Sequence, residues 1–281
     1  MKTNTNVLIA CVAENNEEHY IKCKILFKSL RRFGGCLAKS AAVVCFVNSI
    51  RPEYQKAFQE MDVEVEIIKP FNTQYPHTNN LRIFEIQKKY DYLIVLDNDI
   101  VIARDFSSYI SSSHVLAKID YHDYLSLFSL EDYMQLFKYF NLEMPSKTYN
   151  TESHDKLTYP HYNVGVMIIP KIYVDIIRKE WANCINDLIR VYPKLKTIEK
   201  QSYYTDEIAF SLMLQKTKIP IEPLPISMNF QTAYPIHPYY NPDEIDPYII
   251  HHHDRIDKQG KLLLSNYKKA NEVILKINEI L

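Results

Sequence analysis

Two carboxylates stand one residue apart at Asp97-Asn98-Asp99, directly behind the apolar run Leu93-Ile94-Val95-Leu96. The run is short, uninterrupted and half β-branched, which suits a strand buried on both faces of a helix-covered parallel sheet. Carboxylates that close together at a buried strand end are costly unless a cation or solvent offsets their charge. In open α/β sheets ligands gather at that edge. Oxygen donors there suit Mn²⁺ or Mg²⁺, ions that also grip phosphate oxygens. The plain alternative is a polar turn that ends a core strand.

Three further stretches carry chemistry. Gly165, one of only 4 glycines, sits between Asn163 and the run Val166-Met167-Ile168-Ile169, where a missing Cβ lets a ligand or a neighbouring backbone approach. Thr205-Asp206-Glu207 opens a helical pattern. Thr205 as cap and acids in the first turn explain that trio structurally, and a chemical role for the acids competes with this. Ile249-Ile250-His251-His252-His253 reads as a short strand ending in imidazoles. Alternate residues share a face, so His251 is the first candidate ligand and His253 the second.

The segment from Tyr90 through Asp97-Asn98-Asp99 to Ile100 resembles the metal and sugar-nucleotide motif of GT-A glycosyltransferases, and is similar to that of the glycogenin-like members, family 8 in particular. Asn163-Val164-Gly165-Val166-Met167 resembles a second strand of that family, with valine in place of its alanine. The likeness spans about residues 7 to 262, although the family's Lys-Pro-Trp ending is absent. It implies Asp97, Asp99 and His251 as metal ligands, with Asp97 and Asn98 at the nucleotide. It places Cys11, Val12 and Ala13 at the nucleoside, Asn80 and Arg82 toward the donor, and Lys258 or Lys261 on its β-phosphate. Asn163 and Gly165 fall beside the transferred sugar, and Asp206 faces sugar and acceptor. Glu207 departs from the family's glutamine and is either a base or a surface acid; Asn229 is a further contact to acceptor or sugar. The implied reaction moves a hexose from a UDP-sugar, UDP-glucose first, to a hydroxyl of a glycan or protein acceptor. The resemblance leans to retention, where the leaving phosphate itself takes the proton.

These residues need a frame. Apolar runs at 7–12, 42–47 and 63–68 read as strands, the last with alternating charge and so nearer a sheet edge. Helical patterns at 15–33, capped by Asn15 or Asn16 with Glu18 completing a capping box, and at 52–60 alternate with them. That order predicts an α/β domain with a doubly wound sheet flanked by helices, and the resemblance implies the mixed central sheet of the GT-A fold. The spacing predicts a helix over 76–86, a strand over 111–121 and a long helix over 172–192 whose core face includes the single Trp181. Residues 121–160 are aromatic and polar, with Tyr124 and Tyr133 among them and helical spacing at 130–140. They form either an acceptor-side insertion or a small helical subdomain in an otherwise single domain. An amphipathic tail at 262–281 either packs on the domain or joins two copies, as in a homodimer.

Composition narrows the classes. A net charge of -1 without a basic stretch argues against nucleic acid or an anionic membrane as the main partner. Five cysteines at spacings that suit no metal point to a reducing compartment. The polar start before residue 7 and the lack of any long apolar run predict a cytoplasmic protein without a transmembrane segment. The many tyrosines fit a coding bias better than a sugar-stacking surface. Two other classes stay open: a nucleotidyltransferase of related fold, which favours a Gly-rich basic loop that Val12-Ala13-Glu14-Asn15 lacks, and a non-catalytic sugar-nucleotide binder.

Overall fold

A computed structural model describes residues 5–122, 127–153 and 157–281. Its strands are β1 (Val7–Glu14), β2 (Ala41–Val47), β3 (Glu64–Ile68), β4 (Tyr92–Leu96), β5 (Ile100–Ile102), β6 (Val115–Ile119), β7 (Tyr149–Asn150), β8 (Leu157–Thr158), β9 (Tyr162–Pro170), β10 (Ile221–Pro223), β11 (Phe230–Gln231) and β12 (Ile249–His251). The helices are α1 (Glu17–Phe33), α2 (Pro52–Glu60), α3 (Leu130–Tyr139), α4 (Lys171–Val191), α5 (Lys196–Glu199), α6 (Thr205–Thr217) and α7 (Lys268–Asn278).

The main sheet runs β10-β6-β9-β4-β1-β2-β3. β4, β1, β2 and β3 are parallel, whereas β9 is antiparallel to both β4 and β6, so the sheet is mixed. β3 lies at the edge, as its alternating charge predicts. Helices cover both faces. Leu8, Ala10 and Val12 of β1 enter one core with α4 and α6; Ile9, Cys11 and Ala13 enter the other with α1 and α2. Trp181 is fully buried in the first core, edge-on to Phe84 and Phe210.

A second, three-stranded sheet decides the site. β12 pairs antiparallel with β5, His251 opposite Ile100, and parallel with β11, His251 opposite Gln231. Because β5 starts one residue after Asp99, this pairing carries the histidines to the aspartates across some 150 residues of chain.

Several local readings change. Asn16 caps α1, accepting from the His19 amide, and Glu18 pairs with Lys22 instead of closing a capping box. Residues Pro76–Glu85 form a 3₁₀ helix, with Arg82 turned outward and Leu81, Ile83 and Phe84 buried. The strand expected over 111–121 is only β6. Tyr204, not Thr205, precedes α6; the Thr205 hydroxyl lies 2.5 Å from both the Tyr192 hydroxyl and the Ser202 carbonyl oxygen. In the 121–160 segment Tyr133, Leu136 and Phe137 of α3 join the main core, so the described part packs on the domain; Tyr124 lies outside the described residues. Helix α7 is shorter than its pattern, and Ile274 and Ile277 pack with Ile25, Val101 and Ile250. Among the described residues no helix is long and apolar enough to cross a membrane.

Candidate active site

A cleft of about 450 Å³ opens at the carboxyl ends of β1 and β4 and the amino end of the antiparallel β9. Val12, Ala13, Asn80, Asp97, Asn98, Asp99, Asn163, Asp206, Glu207 and His251 all line it. Six expected residues stand outside that lining: Cys11, Arg82, Gly165, Asn229, Lys258 and Lys261. Cys11 alternates away from Val12, and its buried sulfur faces Cys23 of α1 at 3.8 Å. The Arg82 guanidinium is spent on the Lys69 and Pro70 carbonyls and the Glu85 carboxylate. Lys258 and Lys261 are exposed on a turn that Asp257 organises by accepting from the Gln259 and Lys261 amides.

The closest set of potential metal-donor atoms centres on Asp99. Its Oδ1 lies 3.1 Å from His251 Nε2, and its Oδ2 lies 3.9 Å from His253 Nδ1. One donor atom from each of the three falls within 4.8 Å of the other two. His251 Nδ1 lies 3.0 Å from the Asn229 amide oxygen, which only accepts, so this nitrogen carries a hydrogen and Nε2 is the one turned to the carboxylate. Burial opposes charge on His251, but Asp99 outweighs it and raises the imidazole pKa. Burial likewise opposes charge on Asp99, and His251 overrides it, holding this carboxylate well below its usual range. A divalent cation fits where this arrangement now concentrates a proton between oxygen and nitrogen donors. His253, ranked second from sequence, thus joins Asp99 and His251 in the tight donor set, while Asp97 stands beside it. Asn80 donates to Asp97 Oδ1 at 3.0 Å, and burial followed by the Asp99 charge raises the Asp97 pKa.

Gly165 explains how these groups fit. A Cβ on it would stand 2.8 Å from Asp97 Oδ2, 3.0 Å from Asn163 Oδ1 and 3.0 Å from His251 Cε1. The glycine gives its side-chain space to three site residues while its carbonyl accepts from the Asp97 amide at 2.9 Å. From there a buried chain of amides leads across the cleft. Asn229 Nδ2 donates to Asn163 Oδ1 at 2.7 Å, and Asn163 Nδ2 donates to Glu207 Oε1 at 2.8 Å. Glu207 is 7% exposed, which removes the surface-acid reading. Its other oxygen is 3.5 Å from His161 Nε2, and Asp120, His161 and Glu207 form a second close set of donor atoms. The Asn229 carbonyl accepts from Lys118, whose buried ammonium also meets Glu152 of the 121–160 segment at 2.8 Å.

Residues 9–218 match the model of the Rhodobacterales glycosyltransferase domain. The chain belongs to that family. No curated protein matches the glycosyltransferase. Among solved structures it is similar to the glycosyltransferase GlyE of Streptococcus pneumoniae TIGR4, at 15% identity and a TM-score of 0.55 over 98% of this chain and 61% of that one. The bifunctional glycosyltransferase WbbM gives 11% and 0.56 over 100% and 52%, and the galactosyltransferase LgtC 14% and 0.55 over 98% and 96%. This glycosyltransferase therefore spans about half to three fifths of GlyE and WbbM and nearly all of LgtC, with the GT-A fold in common.

Sequence reasoning passed over several residues in the glycosyltransferase cleft, among them His19, His77, Asp120, Tyr203, Tyr234 and Lys22. His19 Nδ1 accepts from the Glu14 amide and meets Asn98 Nδ2 at 3.1 Å, which fixes Asn98 against the end of β1. The His77 and Tyr203 rings meet at 4.2 Å, tilted by 59°. These cleft residues come from α1, the 3₁₀ turns at 76–85 and 202–204, the end of β6 and the segment after β11, and only tertiary packing gathers them. Asp206 is buried, its backbone carbonyl accepts from Trp181 Nε1 at 2.9 Å, and burial plus the Asp97 charge push its carboxyl up to about 7.

Proposed function

We propose that this glycosyltransferase moves a hexose from a UDP-sugar, UDP-glucose being the first candidate, to a hydroxyl of a glycan or protein acceptor. One observation carries the reading: β12–β5 pairing sets His251 and His253 against Asp99 beside Asp97, at the sheet edge where a diphosphate is held. Asp99, His251 and His253, with Asp97 adjacent, would hold Mn²⁺ or Mg²⁺, which when bound would supply Lewis acidity to a departing diphosphate.

The chain's own residues do the rest. Val12, Ala13 and Asn98 bound the nucleoside end of the cleft, and Asn80 holds Asp97 in place. Asn163, fixed between Glu207 and Asn229, offers its amide to the sugar. Asp206 keeps a proton up to about pH 7 and donates it in a hydrogen bond to a sugar hydroxyl. Glu207, with Asp120 and His161 beside it, orients the acceptor hydroxyl. In a retaining reaction the leaving phosphate would take the acceptor proton.

The test is UDP release from a panel of UDP-sugars, with Mn²⁺ or with chelator, for the native chain and Asp99→Ala. Metal-dependent release from one sugar, lost in the variant, is the expected outcome. No release, together with no thermal stabilisation by UDP plus Mn²⁺, overturns the donor assignment.

A further inference from the structure

A diphosphate carries dense negative charge, yet carboxyl side chains line this cleft from β1, α1, α6, the turn after β12 and the ends of β4 and β6. The lysines that the sequence pattern offers, Lys258 and Lys261, stand outside it. Among the described residues lining the cleft, Lys22 of α1 is the one lysine or arginine. We propose that Lys22 binds the diphosphate of the donor and carries the role expected of a lysine beyond the histidine strand; this rests on the function proposed above.

The placement of Lys22 supports the assignment. Its side chain is 7% exposed, with the stem packed along α1, and its ammonium meets Glu18 at 2.7 Å and Asp254 at 2.5 Å. Both partners are mostly solvent-exposed, so water screens them and they hold the ammonium weakly. An ammonium has three donors, and two carboxylates leave one for a ligand oxygen. Asp254 lies three residues beyond His251 on the same segment, and the His252 amide donates to the Asp99 carbonyl at 3.1 Å. Lys22 is therefore tied to the strand that carries the cation ligands. Burial opposes its charge, but Asp254, Glu18 and Asp99 together raise its pKa, so it stays an ammonium. The turn with Lys258 and Lys261 packs on the same helix, since a Cβ on Gly260 would stand 3.2 Å from Ile21. Lys22 comes from beneath that turn into the cleft, while the turn's own lysines face solvent.

The experiment is calorimetric titration of UDP with Mn²⁺ on the native chain, Lys22→Gln, Lys22→Arg and the double variant Lys258→Gln/Lys261→Gln, with uridine binding followed by ligand-observed NMR. A hydrogen bond between two charged groups is lost in Lys22→Gln, so UDP affinity falls about 10- to 100-fold while uridine binds as before. Lys22→Arg restores most of it, and the double variant binds UDP like the native chain. Native UDP affinity in Lys22→Gln, equal losses for UDP and uridine, or a large loss in the double variant overturns the assignment to Lys22. Failure of the native chain to bind UDP with Mn²⁺ instead removes the donor reading on which it rests.

Discussion

Replacing Gly165 with alanine tests the site where fold and chemistry meet. The added methyl stands 2.8–3.0 Å from Asp97 Oδ2, Asn163 Oδ1 and His251 Cε1, closer than real Cβ atoms tolerate or at the edge of it. None of the three can retreat freely. Asp97 is held by Asn80, His251 by Asn229 and Asp99, and Asn163 by Glu207, Asn229 and the Gly165 amide itself. Overpacking of this kind costs about 1–3 kcal/mol. Reduced freedom of the unfolded chain returns about 0.4–1 kcal/mol, which leaves a net loss of up to about 2.5 kcal/mol and a Tm drop of a few degrees. The larger effect is on the cation. Displacing His251 and Asp97 by a few tenths of an ångström acts like removal of a supporting group around a metal, about 10- to 100-fold in affinity. Mn²⁺ titration by electron paramagnetic resonance, with near-UV circular dichroism as a check on folding, reads both. A folded Gly165→Ala chain with native Mn²⁺ affinity and native UDP release would refute the account of this glycine and the ligands around it.

Two other substitutions separate function from stability. Asp206 has a folded pKa of about 7 against an ordinary 3.8, so between those values the unfolded state sheds a proton that the folded state keeps, and its contribution to stability falls as pH rises through that window. Three pH units set an upper bound of about 4 kcal/mol above pH 7; urea denaturation in chelator should therefore show Asp206→Asn equal to the native chain near pH 4, more stable near pH 8, and impaired in transfer, and an unchanged difference between the two pH values would contradict this. Arg82→Ala removes bonds to two carbonyls and one exposed ion pair outside the cleft. Its UDP affinity should stay within about twofold of native and its stability should drop by about 1 kcal/mol, and a tenfold weaker UDP titration would return Arg82 to the donor site.

Sequence alone determined the main parallel strands and the paired carboxylates behind one of them, because both are local. The buried run 93–96 and the carboxylates after it are covalently consecutive, and a strand's period of two fixes which of Cys11 and Val12 meets the cleft once the sheet is drawn. Gly165 stood out by its rarity and its place between polar and apolar residues, and the structure supplies the reason in three crowding side chains. Tertiary structure alone decided which cations reach the cleft. Lys22, Lys258, Lys261 and Arg82 each carry a positive charge, and their roles depend on helix rotation and on which carbonyls and carboxylates lie nearby. The same holds for His253 over Asp97 in the closest donor set and for the burial of Glu207. Each follows from long-range pairing, β12 with β5 and α6 against β9, that no spacing along the chain encodes. Ligand sets close in space, and the chain order records only the strands that bring them together.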